Sequence, residues 1–191
     1  MISPNHPRPA GRAKLVLVSG WTGAGKSTVA EALAHEIGAT VASFDWLMSG
    51  LRAFPDLWAT IEKPSTFQRE VGWSLLARVA EQQLRRGSSC ILDLVARETP
   101  RQHWQGLARQ QNADFYVIEC ICSDPATHRH LVEGRQRTIP AWYEITFADA
   151  ERVRDSYVPL GNPKLVLDAV DDIDTNLDAA RRFVGTPAPQ D

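Results

Sequence analysis

The sequence predicts an α/β fold of three layers, a five-stranded parallel sheet with helices on both faces. Two observations carry this. Short apolar runs alternate with segments of helical periodicity along the chain. Runs such as 15–18 and 115–122 are also continuously apolar or nearly so, as parallel strands buried on both faces must be. Right-handed crossovers between such strands give a doubly wound sheet.

Each element has its own signal. Lys14–Ser19 is the first strand and stops at Gly20. Lys26–Ile37 is the first helix, with Val29, Leu33 and Ile37 at helical spacing, Ala30 and Ala34 beside them, and Gly38 as the stop. Thr40–Ser43 is a short second strand leading into Phe44 and Asp45, and residues 46–64 follow neither period. Ser65-Thr-Phe-Gln68 has the spacing of a capping box. It opens a long helix with Val71, Leu75 and Val79 on one line and Leu76, Ala80 and Leu84 beside them, ended by Gly87. Cys90–Val95 is the third strand. Thr99 reads as a cap with Pro100 at the first position of a helix reaching Gln111. Phe115–Cys122 is the fourth strand, Asp124-Pro125 opens the next helix by the same logic, Lys164–Asp168 is the fifth strand and Asn176–Val184 the last helix.

The 191 residues suit one domain, expected over 13–184 between a flexible segment 1–12 and a flexible tail 185–191. A net charge of −2 argues against a nucleic-acid footprint. The first twelve residues are Pro-rich and basic and lack the apolar core of a signal peptide, and no apolar run is long enough to span a bilayer. Cys90, Cys120 and Cys122 sit in strand-like runs, an odd count that points to reduced thiols and a cytoplasmic setting, with no membrane partner and a monomer or homodimer expected. Cys120 and Cys122 have the wrong spacing for a zinc knuckle.

The densest chemical signal is Gly20-Trp-Thr-Gly-Ala-Gly25-Lys26-Ser27, which fits G-x-x-x-x-G-K-[ST] in full, with an apolar strand before it and an amphipathic helix after it. Backbone N–H groups from Gly23 to Ser27 can converge on a phosphate at the positive end of the helix. Gly20, Thr22, Gly23, Ala24, Gly25, Lys26, Ser27 and Thr28 are the predicted nucleotide contacts, with Lys26 on the transferring phosphate and the Ser27 hydroxyl on Mg²⁺. The cofactors read here are therefore ATP and Mg²⁺. Trp21 either lines the nucleotide entrance or packs on the sheet edge.

On these residues the chain resembles the P-loop small-molecule kinases, which include shikimate kinase, gluconate kinase, chloramphenicol phosphotransferase and adenylate kinase, and it looks like a predicted-kinase or AAA family ATPase-like protein. The resemblance implies the three-layer P-loop NTPase fold with a short arginine-bearing lid, here about 129–147. In those kinases an acidic residue just past the second strand contacts the acceptor hydroxyl, which points to Asp45, in a stretch similar to that of chloramphenicol phosphotransferase. An apolar strand ending in Asp is the Walker B arrangement, which puts Asp93 on Mg²⁺. Asp93 and Arg97 share the D-x-x-x-R spacing of adenylate kinase without its intervening Gly and Pro, so Arg97 faces substrate in this reading. The lid arginines are Arg129, Arg135 and Arg137, with Arg135 catalytic and the other two on the nucleotide.

The stretch Trp46–Trp58 is aromatic and carries few charges apart from Arg52, read here as substrate-binding; it either faces an apolar or aromatic alcohol as acceptor or packs as a helical hairpin against the core. The nucleotide base is expected near Tyr157–Pro163. The leading function is an ATP-dependent phosphotransferase acting on a small-molecule hydroxyl. The alternatives are a kinase of nucleotides or nucleic-acid ends, and an ATP-binding regulatory module with little turnover. No N-K-x-D guanine motif is present, and a motor-type ATPase is disfavoured by size.

Overall fold

The computed structural model describes residues 11–185, so the readings of the segment up to residue 10 and of the tail after Gly185 lie outside the described residues. The elements in chain order are β1 (Lys14–Gly20), α1 (Lys26–Ile37), β2 (Thr40–Ser43), α2 (Phe44–Leu51), α3 (Pro55–Glu62), α4 (Ser65–Arg85), β3 (Cys90–Asp93), α5 (Glu98–Gln110), β4 (Asp114–Ile121), α6 (Pro125–Glu133), α7 (Phe147–Ser156), β5 (Leu165–Asp168) and α8 (Ile173–Phe183).

The five strands form one sheet in the order β2-β3-β1-β4-β5, and every pairing is parallel. Strand β1 lies at the centre and explains its own composition. Leu15 and Leu17 enter the core under α4 and α5, Val16 and Val18 enter the core under α1 and α8, and all four are fully buried. Each such side chain contributes about 1.5–3 kcal/mol on leaving water. Because β1 has β3 on one side and β4 on the other, the chain order reverses across it, and the carboxyl ends of β1, β2 and β3 open onto the crevice where such sheets take ligands. The register sets Ser43 and Val18 on either side of Asp93, which fixes the floor of that crevice.

The sequence foresees α2 and α3 only as the helical-hairpin alternative for the aromatic stretch, and α7 not at all. Residues 46–64 fold into the end of α2 and all of α3, and α7 follows the segment expected to be lid. Helix α2 is too short and too apolar all round to show a clean stripe. Helix α7 begins on a full capping box, Thr146 with Asp149. The expected box at Ser65 is not formed: Pro64 takes the cap position, which makes Ser65 the first helical residue. Helix α5 starts at Glu98 after Arg97, so Pro100 sits third in the first turn, where its missing N–H has no helical partner to lose. Strand β3 stops at Asp93, two residues early, and α8 starts at Ile173, on an Asp172 cap. Asp124 caps α6 as its sequence implies, accepting from Thr127 N at 2.7 Å. Among the described residues no helix is long and apolar enough to cross a membrane.

Candidate active site

The loop between β1 and α1 is shaped by backbone that only glycine takes easily. Gly20 has φ 122, and a Cβ there would sit 1.9 Å from the Cys120 carbonyl oxygen, because Gly20 is paired with Cys120 while Trp21 N donates to that same oxygen at 3.0 Å. Gly23 and Gly25 are left-handed, and Gly25 caps α1 without any side-chain hydrogen bond, so no side chain competes for the first N–H groups of that helix. A cleft of about 200 Å³ lies over this end, lined by Gly23, Gly25, Lys26, Ser27, Thr28, Leu131 and Arg135.

The loop is braced from behind. His128, fully buried on α6, has its Nε2 2.7 Å from the Thr22 carbonyl oxygen, an arrangement in which the ring N–H donates. Its Nδ1 has no hydrogen-bond partner among the described residues, and its ring packs near Trp21 at 6.0 Å and Phe147 at 5.7 Å between centroids. Trp21 thus packs inward on the core beneath α1, beside His128. Thr22 and Ala24 are buried in the loop.

At the loop's end Lys26 Nζ donates to the Trp21 carbonyl at 2.6 Å, and the Ser27 hydroxyl donates to Asp93 Oδ2 at 2.8 Å. Burial lowers the Lys26 pKa, against the opposing pull of Asp93 and Asp45. Burial raises the Asp93 pKa, opposed by the Lys26 charge and the Ser27 hydrogen bond. Asp93, from β3, and Ser27, from α1, thereby form an oxygen-only pair suited to a hard cation such as Mg²⁺.

Beyond them opens a second cavity of about 190 Å³, and Lys26, Ser27 and Arg135 line both spaces. Asp45, in the first turn of α2, stands on its wall with Phe44, Trp73 and Tyr143. Arg137 is nearly buried and its NH1 donates to Asp45 Oδ2 at 2.8 Å. The fold therefore brings together Lys26, Ser27, Asp45, Asp93, Arg135 and Arg137.

Other expected residues lie elsewhere. Arg129 is placed over the Phe147 ring at 4.2 Å and pairs with Glu133 at 3.5 Å, on the outer side of α6. Arg52 lies against Trp58, Trp142 and Tyr143, with its guanidinium 5.3–5.8 Å from their ring centroids, rather than lining the cavity. Arg97 lines a third space. The segment expected to hold the base does not reach the cleft. Tyr157 OH and Leu160 N both donate to buried Glu119 on β4, at 2.6 and 2.9 Å, which draws the segment across the other face of the sheet. Trp46, Phe54 and Leu57 point outwards, so the aromatic stretch does not wall the cavity. The residues that sequence reading missed are His128, Trp73, Tyr143 and Arg69. Of these only His128 had a usable signal, a polar residue among apolar ones on a helix that follows a strand.

The profile of the AAA domain family matches residues 15–160. The chain belongs to the AAA domain family. The matched span of this AAA domain runs from β1 to Leu160 and contains every residue just described. No curated protein sequence matches the chain. Solved structures share its fold across nearly the full length. A sugar kinase from a Janibacter species, without ligand, superposes with a TM-score of 0.64 at 16% identity, covering 92% of this chain and 95% of that one. The APS kinase of Mycobacterium tuberculosis, in complex with AMPPNP and APS, gives 0.61 at 19% identity over 92% and 99%. A gluconokinase from Sinorhizobium meliloti gives 0.58 at 13% identity over 91% and 92%. This AAA domain accordingly has the three-layer, all-parallel fold of the P-loop small-molecule kinases.

Proposed function

We propose that this AAA domain is an ATP-dependent phosphotransferase that moves the γ-phosphoryl group to a hydroxyl of a small molecule. The observation that carries the reading is the shared wall: Lys26, Ser27 and Arg135 border both the cleft over the phosphate loop and the cavity that holds Asp45. A phosphoryl group lying at that wall faces the nucleotide on one side and an acceptor on the other, which is the in-line arrangement the transfer requires.

The roles follow from position. Loop amides and the N-terminus of α1 hold the phosphates. Lys26 and Arg135 stabilise the charge that develops on the transferring group. Ser27 and Asp93 hold Mg²⁺, which when bound neutralises phosphate charge. Asp45 orients the acceptor hydroxyl and takes its proton, and Arg137 fixes the Asp45 carboxylate in place. Residues 134–146, which carry Arg135 and Arg137, act as the lid and keep water from the site.

A second reading, an ATP-binding module with little turnover, draws support from the Arg137–Asp45 ion pair, which occupies one carboxylate oxygen. One experiment separates them. The pure protein is incubated with γ-labelled ATP, Mg²⁺ and a small-molecule extract, and a labelled product is sought by mass, with Lys26→Ala and Asp45→Asn alongside. A product lost in both variants supports the phosphotransferase. Label retained in ATP despite tight Mg-ATP binding, with Asp45→Asn unchanged in affinity, favours the binding module.

A further inference from the structure

Helix α2 is 8 residues long, and both of its ends meet the lid segment 134–146. At its first turn Asp45 accepts from Arg137 NH1 at 2.8 Å. At its far end Arg52, the cap residue, places its guanidinium 5.3 Å from the ring centroid of Trp58, 5.8 Å from that of Trp142 and 5.7 Å from that of Tyr143. Trp58 comes from α3, whereas Trp142 and Tyr143 belong to the lid segment. Arg52 forms no ion pair among the described residues. A cation within about 6 Å of a ring centroid is attracted by the ring quadrupole, and the more so as water is excluded.

The aromatic side is arranged for this contact. Trp142 meets Trp58 edge to face, 5.9 Å between centroids and 80° between planes, and Tyr143 stacks on Trp142 at 4.8 Å and 28°. Trp142 is half-buried, while Thr138, Pro140, Ala141, Tyr143 and Glu144 around it are exposed. Its Nε1 is buried without a hydrogen-bond partner among the described residues, so ring contacts hold the indole. The backbone bends to deliver it. Trp142 N donates to the Ile139 carbonyl at 3.2 Å, across Pro140 and Ala141, and Ala141 has φ 58, a left-handed conformation that alanine adopts at a cost. Such strain persists only where neighbouring contacts hold it, and here the neighbours are the rings and Arg52.

Arg137 N donates to Glu144 Oε1 at 3.1 Å, which closes the lid segment on itself and leaves residues 138–143 as its tip. Tyr143 of that tip also lines the Asp45 cavity, with Arg135, Arg137 and Ile145 of the same segment. We propose that Arg52 is a positioning residue: its guanidinium fills a cage of Trp58, Trp142 and Tyr143, clasps the tip to α2 and α3, and so holds Arg135 and Arg137 over the cavity. The effect on transfer rests on the phosphotransferase reading, and the clasp itself does not. Without the cation the tip lifts, Arg137 leaves Asp45 more often, and the acceptor hydroxyl meets a carboxylate that is no longer held in one orientation. The nucleotide phosphates keep their loop amides and the end of α1.

The test has two arms. In the first, hydrogen exchange is followed by mass spectrometry on the ligand-free protein, in peptides covering 134–146, where the Arg137 and Trp142 amides are bonded. Arg52→Ala is compared with the parent and with Arg109→Gln, an exposed arginine on α5. Exchange in the segment is expected to speed about fivefold in Arg52→Ala alone, equivalent to about 1 kcal/mol and on the scale of one cation over a ring, with peptides of β1 and α1 unchanged. N-ethylguanidinium chloride supplies the missing cation to the emptied cage and should return the rate to within about twofold of the parent, where equal sodium chloride does not. Unchanged exchange in Arg52→Ala, a rise spread over the whole chain, or a rise that N-ethylguanidinium leaves in place overturns the proposal. In the second arm, label transfer from γ-labelled ATP to the small-molecule extract is timed at saturating Mg-ATP. Arg52→Ala should slow it about fivefold and N-ethylguanidinium should restore it, while the Kd for Mg-AMPPNP stays within about twofold. Transfer at the parent rate despite a loosened tip refutes the positioning role. A loosened and rescued tip with no transfer by the parent keeps the clasp and removes the phosphotransferase reading instead.

Discussion

Two glycines inside helices make a matched experiment. Gly72 on α4 is buried, and a Cβ built there would lie 2.1 Å from Phe44 Cε2, 2.7 Å from Cδ2 and 2.8 Å from Cζ. Gly106 on α5 has nothing within 4 Å of such an atom. Replacing glycine by alanine within a helix gains about 0.5–1 kcal/mol from the smaller entropy of the unfolded chain. Gly106→Ala should collect that gain and raise the melting temperature by about 1–4 °C. Gly72→Ala collects the same gain and must move an aromatic ring by more than an ångström. Overpacking of this kind costs about 1–3 kcal/mol. The net is a loss of about 1 kcal/mol and a melting temperature about 2–4 °C lower. Phe44 precedes Asp45 in the first turn of α2, so the displaced ring also shifts the carboxylate, and phosphoryl transfer should fall more than ATP affinity. Phe44→Leu in the Gly72→Ala background should recover part of the stability by removing the clashing ring atoms. Thermal unfolding followed by circular dichroism reads all four proteins. A Gly72→Ala melting temperature raised as far as that of Gly106→Ala would refute the steric argument and the rigid seat it assigns to Asp45.

Asp93→Asn tests the buried carboxylate. Its folded-state pKa lies above the unfolded one, so the ionised group costs stability once the pH exceeds about 3.9, and the cost grows until the folded-state value is passed. Ligand-free Asp93→Asn should therefore melt above the parent at pH 7, with the gap closing towards pH 4, while Mg-dependent ATP binding is lost; a lower melting point at pH 7 would contradict this. Glu119 is 3% exposed and its charge is matched by Lys164, so Lys164→Met should cost about 3–5 kcal/mol in denaturant unfolding and Glu119→Gln added to it should restore much of the loss. A cost under about 1 kcal/mol for Lys164→Met would mean the charge is solvated. Burial pushes the Cys90 and Cys120 thiols up to about 12 and raises that of Cys122 as well, so a thiol reagent at pH 8 should label none of the three until the protein unfolds. Rapid labelling of the folded protein would disprove that burial.

The sequence made the strands and the phosphate loop legible because both are local. A run such as Leu15-Val-Leu-Val18 states that both of its faces are buried, and the loop's eight residues are contiguous and flanked by the right elements. Gly38 ends α1 as its type suggests, at φ 63 with its N–H on the Ala34 carbonyl. Short helices were less legible: α2 and α3 have 8 residues each, about two turns, too few for a sustained hydrophobic stripe. The Thr146-x-x-Asp149 box that opens α7 was there to be read, but it straddles the end of the span attributed to the lid. The candidate site was legible in part. Asp93 ends β3, Asp45 lies in the first turn of the helix after β2, and Lys26 and Ser27 open the helix after β1, so topology alone brings all four to the carboxyl edge of the sheet. Arg69 and Tyr143 reach the cavity from a helix flank and an irregular segment, and no spacing in the chain encodes that approach. Arg52 and Arg129 show the converse, charges whose sequence setting suggested the site but whose side chains found aromatic rings nearer at hand.

His128 and Val132 lie one turn apart on α6, and both press on the phosphate loop: one ring nitrogen on the Thr22 carbonyl, and one methyl so near Gly23 that a Cβ there would come within 2.3 Å. Helix α6 is thereby bolted to the loop and cannot swing away from it alone. At the other end Thr146 and Asp149 fasten the start of α7, and Phe147 tucks beneath His128 and Arg129. Residues 134–146 are thus a strap buckled at both ends, whose reach is set by its own length rather than by any turning helix. Letting it out by a few Gly-Ser residues would change the stability little, since loop entropy grows only slowly with length. It would leave both buckles untouched and slacken the two arginines that the strap carries, Arg135 and Arg137, so the grip on Asp45 can be graded by chain length alone.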